Sequence, residues 1–263
     1  MGAVCCAFWE PKSPDFESKS KKVAKNLRAK GLGKTGVIFG IDFTSSNIRN
    51  GTNSFGGMSL HHVFDSPATY NLYEQVIDIL GNVLVHFNKD ESVPAYIFGD
   101  DRTLDKIVRP VTSSLQPATE EGLHDIREVL AAYRDEAKVG NFSAAPTTYK
   151  PLIEKAIAIQ QAKKTFQTLV IITDGVVTNL KENIEAIEEA AKYPLAIIII
   201  GVGDGDGRWG EMKALTGDEH SRKYENVAFY HYASNLVPFD FATKSLGLLP
   251  LLYLHYKSRN LCD

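Results

Sequence analysis

The apolar positions of this chain follow two periodicities. Continuous apolar runs that end near Asp or Gly predict strands buried on both faces, as in a parallel sheet covered by helices. Such runs cover residues 36–42, 93–100, 168–174 and 195–203, and a shorter one covers 227–232. Apolar residues that recur every three to four positions predict helices at 71–87, 119–137, 151–162 and 179–193.

The order of these segments predicts the fold. Strands that alternate with helices form a parallel sheet with helices on both faces. Residues 106–111 are interrupted by Pro110, which favours a short edge strand. Asn179 with Glu182 three residues later predicts a capping box. We therefore predict one α/β domain, doubly wound and mostly parallel with one antiparallel edge strand. It covers 35–256, behind a basic arm at 1–34 and ahead of a tail at 257–263.

Composition removes several classes of function. The chain has 263 residues, 44% of them hydrophobic, and a net charge of -3, so a nucleic-acid-binding protein is not expected. Its three cysteines, Cys5, Cys6 and Cys262, lie near the two ends and cannot hold a disulfide framework or a zinc cluster in the core. This usage suits a reducing, cytoplasmic compartment. No apolar stretch reaches the roughly 20 residues of a membrane span.

Acidic residues stand at the ends of most predicted strands. A single strand-end acid is usually a turn residue, but ligands of parallel sheets bind at the carboxyl ends of the strands, where several acids would meet. We therefore expect a ligand site at this edge of the sheet. The acids are Asp42, Asp100, Asp174, Asp204 and Asp206.

The segment "IDFTSSN" at 41–47 makes the expectation more specific. In an extended chain Asp42, Thr44 and Ser46 point to one side, whereas Ser45 points away. One carboxylate and two hydroxyls are hard oxygen donors of the kind that Mg²⁺ accepts, and the motif lacks the His and thiolate ligands typical of zinc. Asp174 in "IITDG" and Thr147 in "APTTYKP" are placed to join them, although Thr147 alone is better explained as a cap or turn residue.

This order of motifs resembles the von Willebrand factor A domain with its metal-ion-dependent adhesion site, and within that family the copine branch. The copine-like domain of certain plant RING ubiquitin ligases is similar too. Further segments carry the resemblance: "SLHHV", "FGDD", "APTTYKPLI", "LVIITDGVVT", "YPLAIIIIGVGDG" and "VPF".

The resemblance implies a site and a type of activity. Ser46, Thr44 and at times Thr147 would ligate Mg²⁺ or Mn²⁺, with Ca²⁺ as an alternative, while Asp42 and Asp174 would act directly or through water. A protein partner would offer a carboxylate to the remaining position. Copines also carry two calcium-binding C2 domains and the plant ligases a RING; neither pattern is found in this sequence, so neither activity is carried over.

The first residues suggest a lipid anchor. Met-Gly followed by small residues is typical of N-myristoylation of Gly2, although Cys6 stands where Ser or Thr is usual. Cys5 and Cys6 are candidate palmitoylation sites. The Lys/Arg-rich stretch that follows would attract an anionic leaflet. We expect a peripheral protein at the cytosolic face of a membrane; the alternative is a solvated start with two incidental thiols.

Two weaker motifs and two rival functions complete the interpretation. "GVGDGDG" at 201–207 does not fit a phosphate-binding loop, and we interpret it as a turn that offers a second cation site at most. His61 and His62 are adjacent and suit a joint metal site poorly, and we expect His231 to be a hydrogen-bonded core residue. The main hypothesis is a metal-dependent adaptor without catalytic activity. The alternatives are a metal-dependent phosphohydrolase that uses a strand-end aspartate, and a subunit of a ubiquitin-ligase assembly without its own RING. The remaining possibility is a structural domain whose site has decayed and never binds metal.

Overall fold

A computed structural model describes residues 14–88, 92–112, 122–123, 125–204, 209–218, 221–222, 225–233 and 236–262. The candidate lipidation sites Gly2, Cys5 and Cys6 lie outside these residues, and so does Asp206. Those predictions therefore stay predictions.

A six-stranded sheet forms the centre of the molecule. Its order is β3-β2-β1-β4-β5-β8, and only the β2–β3 pair is antiparallel. A separate two-stranded hairpin joins β6 to β7. The predicted fold class, including the antiparallel edge strand, is confirmed. The strands are β1 (Gly36–Asp42), β2 (Ala95–Phe98), β3 (Arg109–Pro110), β4 (Gln167–Thr173), β5 (Leu195–Val202), β6 (Gly217–Asp218), β7 (Ser221–Arg222) and β8 (Val227–Tyr232).

Helices cover both faces of the sheet because the strand side chains alternate between two apolar cores. In β1, Val37, Phe39 and Ile41 belong to one buried cluster and Ile38 to the other. The first cluster packs against α1, α2, α3, α7 and α8, and the second against α4, α5 and α6. The helices are α1 (Pro14–Ala29), α2 (Leu72–Leu84), α3 (Ile126–Val139), α4 (Lys150–Lys163), α5 (Leu180–Ala190), α6 (Trp209–Thr216), α7 (Pro238–Ser245) and α8 (Leu249–Ser258).

The helix ends correct two expectations. Asn179 precedes α5, but its side chain makes no capping hydrogen bond, so the predicted capping box is wrong. Asn71 instead caps α2 with a full capping box that includes Glu74. Helix α3 is capped by Asp125 at its start, and residues 119–121 of the predicted helix lie outside the described part of the chain.

Helix α1 is part of the packed domain, although the sequence analysis places it in a basic arm. Its apolar side contributes Phe16, Val23 and Leu27 to the larger core cluster, and these residues are 9%, 5% and 2% exposed. The lysines of the helix point outward, as in any amphipathic surface helix. The predicted boundary at residue 35 therefore does not coincide with the start of the core.

None of the helices within the described ranges is long and apolar enough to cross a bilayer.

Candidate metal site

The loop after β1 brings three of the predicted ligands together. The Oδ1 atom of Asp42 accepts hydrogen bonds from the Thr44 backbone N–H at 2.8 Å and from the Thr44 hydroxyl at 2.7 Å. The Oγ1 atom of Thr44 is 3.1 Å from Oγ of Ser46. A 3-10 helix at Ser45–Ile48 then turns the chain away from the sheet. One carboxylate and two hydroxyls thus form a single cluster, although Ser46 stands in the 3-10 helix and not in the extended chain that the predicted alternation assumes.

Asp174 follows β4, which pairs with β1, so both acids reach the same edge of the sheet. Both carboxylates are fully buried. Burial, and then the nearby charge of Asp174, raises the pKa of Asp42 to about 7. Hydrogen bonds from Thr173 and Thr44 act in the opposite direction. The two acids are therefore close enough to repel each other when both are ionised.

Thr147 lies in a loop that is held against the Asp174 loop. Its backbone carbonyl accepts hydrogen bonds from both the N–H and the hydroxyl of Thr178, each at 3.1 Å. Two residues later, the Tyr149 hydroxyl donates to Oγ1 of Thr173 at 3.1 Å, and Thr173 donates to Oδ2 of Asp42 at 2.6 Å. The Thr147 loop is thus joined to the Asp42 and Asp174 loops through two separate contacts.

Residues that the sequence analysis did not select support the acids. Asn50 donates to Oδ2 of Asp174 at 3.0 Å, and its carbonyl accepts from the Asp204 N–H at 2.8 Å. Asn47 donates from its side chain to the Thr44 carbonyl at 3.1 Å and accepts from the Tyr73 hydroxyl at 2.6 Å. These side chains fix the loop in which the predicted ligands stand.

His61 supports the same loop by a hydrogen bond to the backbone of Asp42. Its Nε2 lies 2.8 Å from the Asp42 carbonyl, which can only accept, so Nε2 carries the proton and Nδ1 faces the Tyr133 hydroxyl at 2.8 Å. Burial lowers the pKa of His61 to about 3. The neighbouring His62 is exposed. The prediction that the two histidines do not form a joint site agrees with this arrangement.

Two other strand-end acids are used by the fold. Asp100 pairs with Arg109 at 2.7 Å, and Arg109 also binds both carboxylate oxygens of Glu136. Asp204 accepts from the backbone N–H groups of Asn53 at 2.7 Å and Ser54 at 2.6 Å. Both oxygens of Asp204 thus hold the 53–54 segment in place, and Asp206, the other acid considered for a second cation site, lies outside the described residues, so that site stays a prediction.

His231 corrects another expectation. Its ring packs against Trp209, with centroids 4.6 Å apart, and its Nε2 lies 3.2 Å from the Gly203 carbonyl. The residue is hydrogen-bonded as expected, but it is exposed on β8 and is not a core residue.

The donor set fits a small hard dication. The clustered groups of the β1 loop are one carboxylate and two hydroxyls, all oxygen donors, and a second buried carboxylate is close by. Two buried acids that repel each other are stabilised when a dication is placed between them. Within the described residues no cluster of three or more His, Cys, Asp or Glu side chains could hold a metal.

Sequence comparison identifies the family. The Copine family profile matches residues 59–258. Copine family protein 2 of Caenorhabditis elegans is 37% identical over 210 residues, which are 80% of this chain and 3% of that protein. The E3 ubiquitin-protein ligase RGLG4 of Arabidopsis thaliana is 35% identical over 232 residues, 83% of this chain and 55% of the ligase. The chain thus spans about half of the plant relative and a small part of the worm protein.

Solved structures with a similar fold are distant in sequence. The manganese-loaded TRAP protein of Plasmodium vivax superimposes with a TM-score of 0.52 at 11% identity, covering 82% of this chain and 73% of that one. BatB of Bacteroides thetaiotaomicron gives 0.51 at 13% identity, covering 82% and 98%. The chain belongs to the copine family, and its mostly parallel sheet with helices on both faces is a von Willebrand factor A domain.

Proposed function

We propose that this domain is an adaptor that binds Mg²⁺ or Mn²⁺ through Asp42, Thr44, Ser46, Thr147 and Asp174. The metal then binds a carboxylate of a protein partner. The observation that carries the proposal is the meeting of two buried acids and two hydroxyls at the carboxyl edge of the sheet. The similarly folded TRAP protein was solved in a manganese-loaded form, which supports a divalent ion at this type of fold.

The physical reason lies in the charge of the site. Hydroxyls are neutral, so the five side chains supply at most two negative charges to a dication. The acids at most neutralise the ion, so no excess of negative charge repels an external acid, and its carboxylate can take the coordination position of a bound water. The site would thereby recognise a carboxylate on a partner.

The phosphohydrolase alternative is less well supported by the geometry. A nucleophilic aspartate must reach its substrate, but Asp42 is fully buried and both of its oxygens accept hydrogen bonds from Thr44 and Thr173. Membership of a ubiquitin-ligase assembly rests only on the names of the plant relatives. It remains a second candidate for the whole protein.

Membrane attachment is a further part of the proposal. Acylation of Gly2, with palmitoylation of Cys5 or Cys6, would hold the domain at the cytosolic face of an anionic membrane. Metabolic labelling with myristate and palmitate analogues tests it directly. We expect label that is lost in Gly2→Ala; an unlabelled wild-type protein would contradict attachment.

The metal site is tested by titration with Mn²⁺, monitored by calorimetry and by the electron paramagnetic resonance signal of the free ion. We expect one site in the wild type and none in Asp42→Asn or Asp174→Asn. The matched control is Asp240→Asn, which removes an exposed acid from α7. Identical titrations for the wild type and for Asp174→Asn would contradict the proposed metal site.

A further inference from the structure

The metal-site edge of the sheet exposes large apolar side chains. Ile48 follows β1 and is 47% exposed, and Leu180 follows β4 and is 36% exposed. Leu104 and Ile107, in the loop between β2 and β3, are 39% and 56% exposed. We call these four residues the apolar rim. All of them follow the carboxyl ends of strands that flank the candidate metal site.

The loops that carry the rim are packed against each other. A Cβ atom on Gly99 would stand 2.4 Å from Cγ2 of Thr44, which shows how closely the end of β2 approaches the loop after β1. The Ser45 N–H donates to the Ser143 carbonyl at 2.7 Å, and the Asp101 N–H donates to the Asn141 carbonyl at 3.1 Å. Both loops therefore dock on one segment, and Ile48 and Leu104 share one edge with the metal site.

The backbone of Leu104 provides a second, independent observation. Its φ is +51°, in the left-handed region that is strained for a residue other than glycine. Its N–H donates to the Asp100 carbonyl at 2.9 Å, and the Asp100 carboxylate is held by Arg109 and Thr103. A buried ion network thus keeps a leucine exposed in a strained turn. Neither the exposure nor the strain stabilises the fold, so we infer that the side chain serves an interaction.

Charge defines what can bind beside the rim. Exposed basic residues, Arg49, Arg102 and Lys106, flank the rim, and acidic Asp101 and Asp105 lie in the same β2–β3 loop. A bound dication would balance the charges of Asp42 and Asp174, so these three basic and two acidic side chains leave one net positive charge around it. The edge as a whole then attracts an anionic group at its centre and apolar groups around it.

We propose that the partner of this site presents one Asp or Glu with large aliphatic or aromatic side chains next to it. The acid would bind the metal, and the apolar side chains would cover Leu104 and Ile48. This inference rests on the proposed function and adds the chemistry of the partner to it.

The test is a displayed peptide library with one fixed Asp and randomised flanking positions. It is selected on the Mn²⁺-loaded domain and eluted with EDTA. We expect enrichment of Leu, Ile, Val, Met and Phe at the flanking positions. The best peptide is then measured against Ile48→Ser combined with Leu104→Asn, where Asn is chosen because it tolerates a positive φ. Affinity should fall about tenfold or more, because the variant loses the apolar contacts of two large aliphatic side chains.

The control variant is Leu251→Asn, which changes a 65% exposed leucine on α8. Peptide affinity and Mn²⁺ affinity should both be unchanged in it, and Mn²⁺ affinity should be unchanged in the rim variant. EDTA-eluted peptides with polar flanks, or equal binding by the rim variant, would overturn the inference and leave the metal-dependent function standing. A wild-type domain from which EDTA elutes nothing specific, or no more than Asp174→Asn does, would remove both.

Discussion

At the scale of single residues, the site shows what local periodicity can predict. Asp42, Thr44 and Ser46 are close in the chain, and one tight loop brings them together, although Ser46 lies in a 3-10 helix and not in the extended chain assumed by the prediction. Their supporting residues come from far away: Asn50 contacts Asp174 across 124 positions, and Thr173 contacts Asp42 across 131. Such long-range contacts cannot be predicted from one sequence, because they depend on which strands are neighbours in the sheet. Thr173 is the exception, because it directly precedes Asp174 in the "TDG" segment and could have been included in the candidate site.

Thr173→Val tests this support. The change removes the hydroxyl that donates to Oδ2 of Asp42 while keeping the shape of the side chain. We expect Mn²⁺ affinity to fall about tenfold, the lower end of what loss of a supporting partner costs at metal sites. Thr168→Val is the control, because Thr168 is buried in the same strand and bonds Thr35 at 2.9 Å, away from the site. Equal losses in both variants would mean a general effect on the strand.

His61 predicts a dependence of stability on pH. An unfolded histidine with a pKa near 6.5 gains a proton as pH falls, whereas the folded one, with its pKa lowered to about 3, stays neutral. The contribution of His61 to the free energy of unfolding is therefore complete above pH 6.5, and it is lost as pH falls from 6.5 toward 3. Between pH 7 and pH 5 the contribution of His61 is a loss of about 2 kcal/mol.

Urea unfolding at both pH values measures this effect. His61→Gln should lose about 2 kcal/mol less than the wild type between pH 7 and pH 5, although it is less stable at pH 7. His62→Gln, a change at the exposed neighbour, should follow the wild-type pH dependence. The explanation fails if all three proteins lose the same amount of stability.

At the scale of elements, the buried strands were predictable and the first helix was not. Runs such as 195–203 are apolar at every position, which only a doubly covered strand requires, and β5 matches it to within one residue. Helix α1 contains four lysines among its 16 residues, and its basic character drew attention away from its apolar positions. The buried positions of the helix nevertheless recur at helical spacing. They are the apolar residues Phe16, Val23, Ala24 and Leu27, together with Ser20. The misplaced capping box has a similar cause, because Asn-x-x-Glu occurs before both α2 and α5 and only tertiary packing selects between them.

Helix α1 should contribute to stability as part of the core. Leu27 is 2% exposed, so Leu27→Ala is expected to lower the free energy of unfolding by about 2–5 kcal/mol. Lys25→Ala, at an exposed position of the same helix, should change it by less than about 0.5 kcal/mol. Chemical denaturation followed by circular dichroism compares them. Equal stability of both variants would show that residues 14–29 do not contribute to the core.

At the scale of the whole molecule, the candidate metal site holds two buried acids whose mutual repulsion a bound dication would relieve. In metal-free protein at neutral pH, Asp174→Asn removes one of two buried acids that oppose each other. We expect its melting temperature to be equal to or higher than that of the wild type. With Mn²⁺ at a hundred times the dissociation constant, the wild type alone should gain about 2.7 kcal/mol and become the more stable protein. Scanning calorimetry with EDTA and with Mn²⁺ gives both comparisons; an unchanged order would count against the site.

The placement of α1 also decides how the domain can be handled. The ring of Phe16, in its first turn, lies 4.8 Å from that of Phe239, which follows the carboxyl end of β8, so α1 begins at the same edge as the metal site. Helix α8 ends at the opposite edge, where the Tyr256 hydroxyl bonds the Ala191 carbonyl at 3.1 Å. A bead or sensor chip coupled ahead of Pro14 would therefore crowd the candidate metal site, whereas coupling behind α8 would leave that edge open.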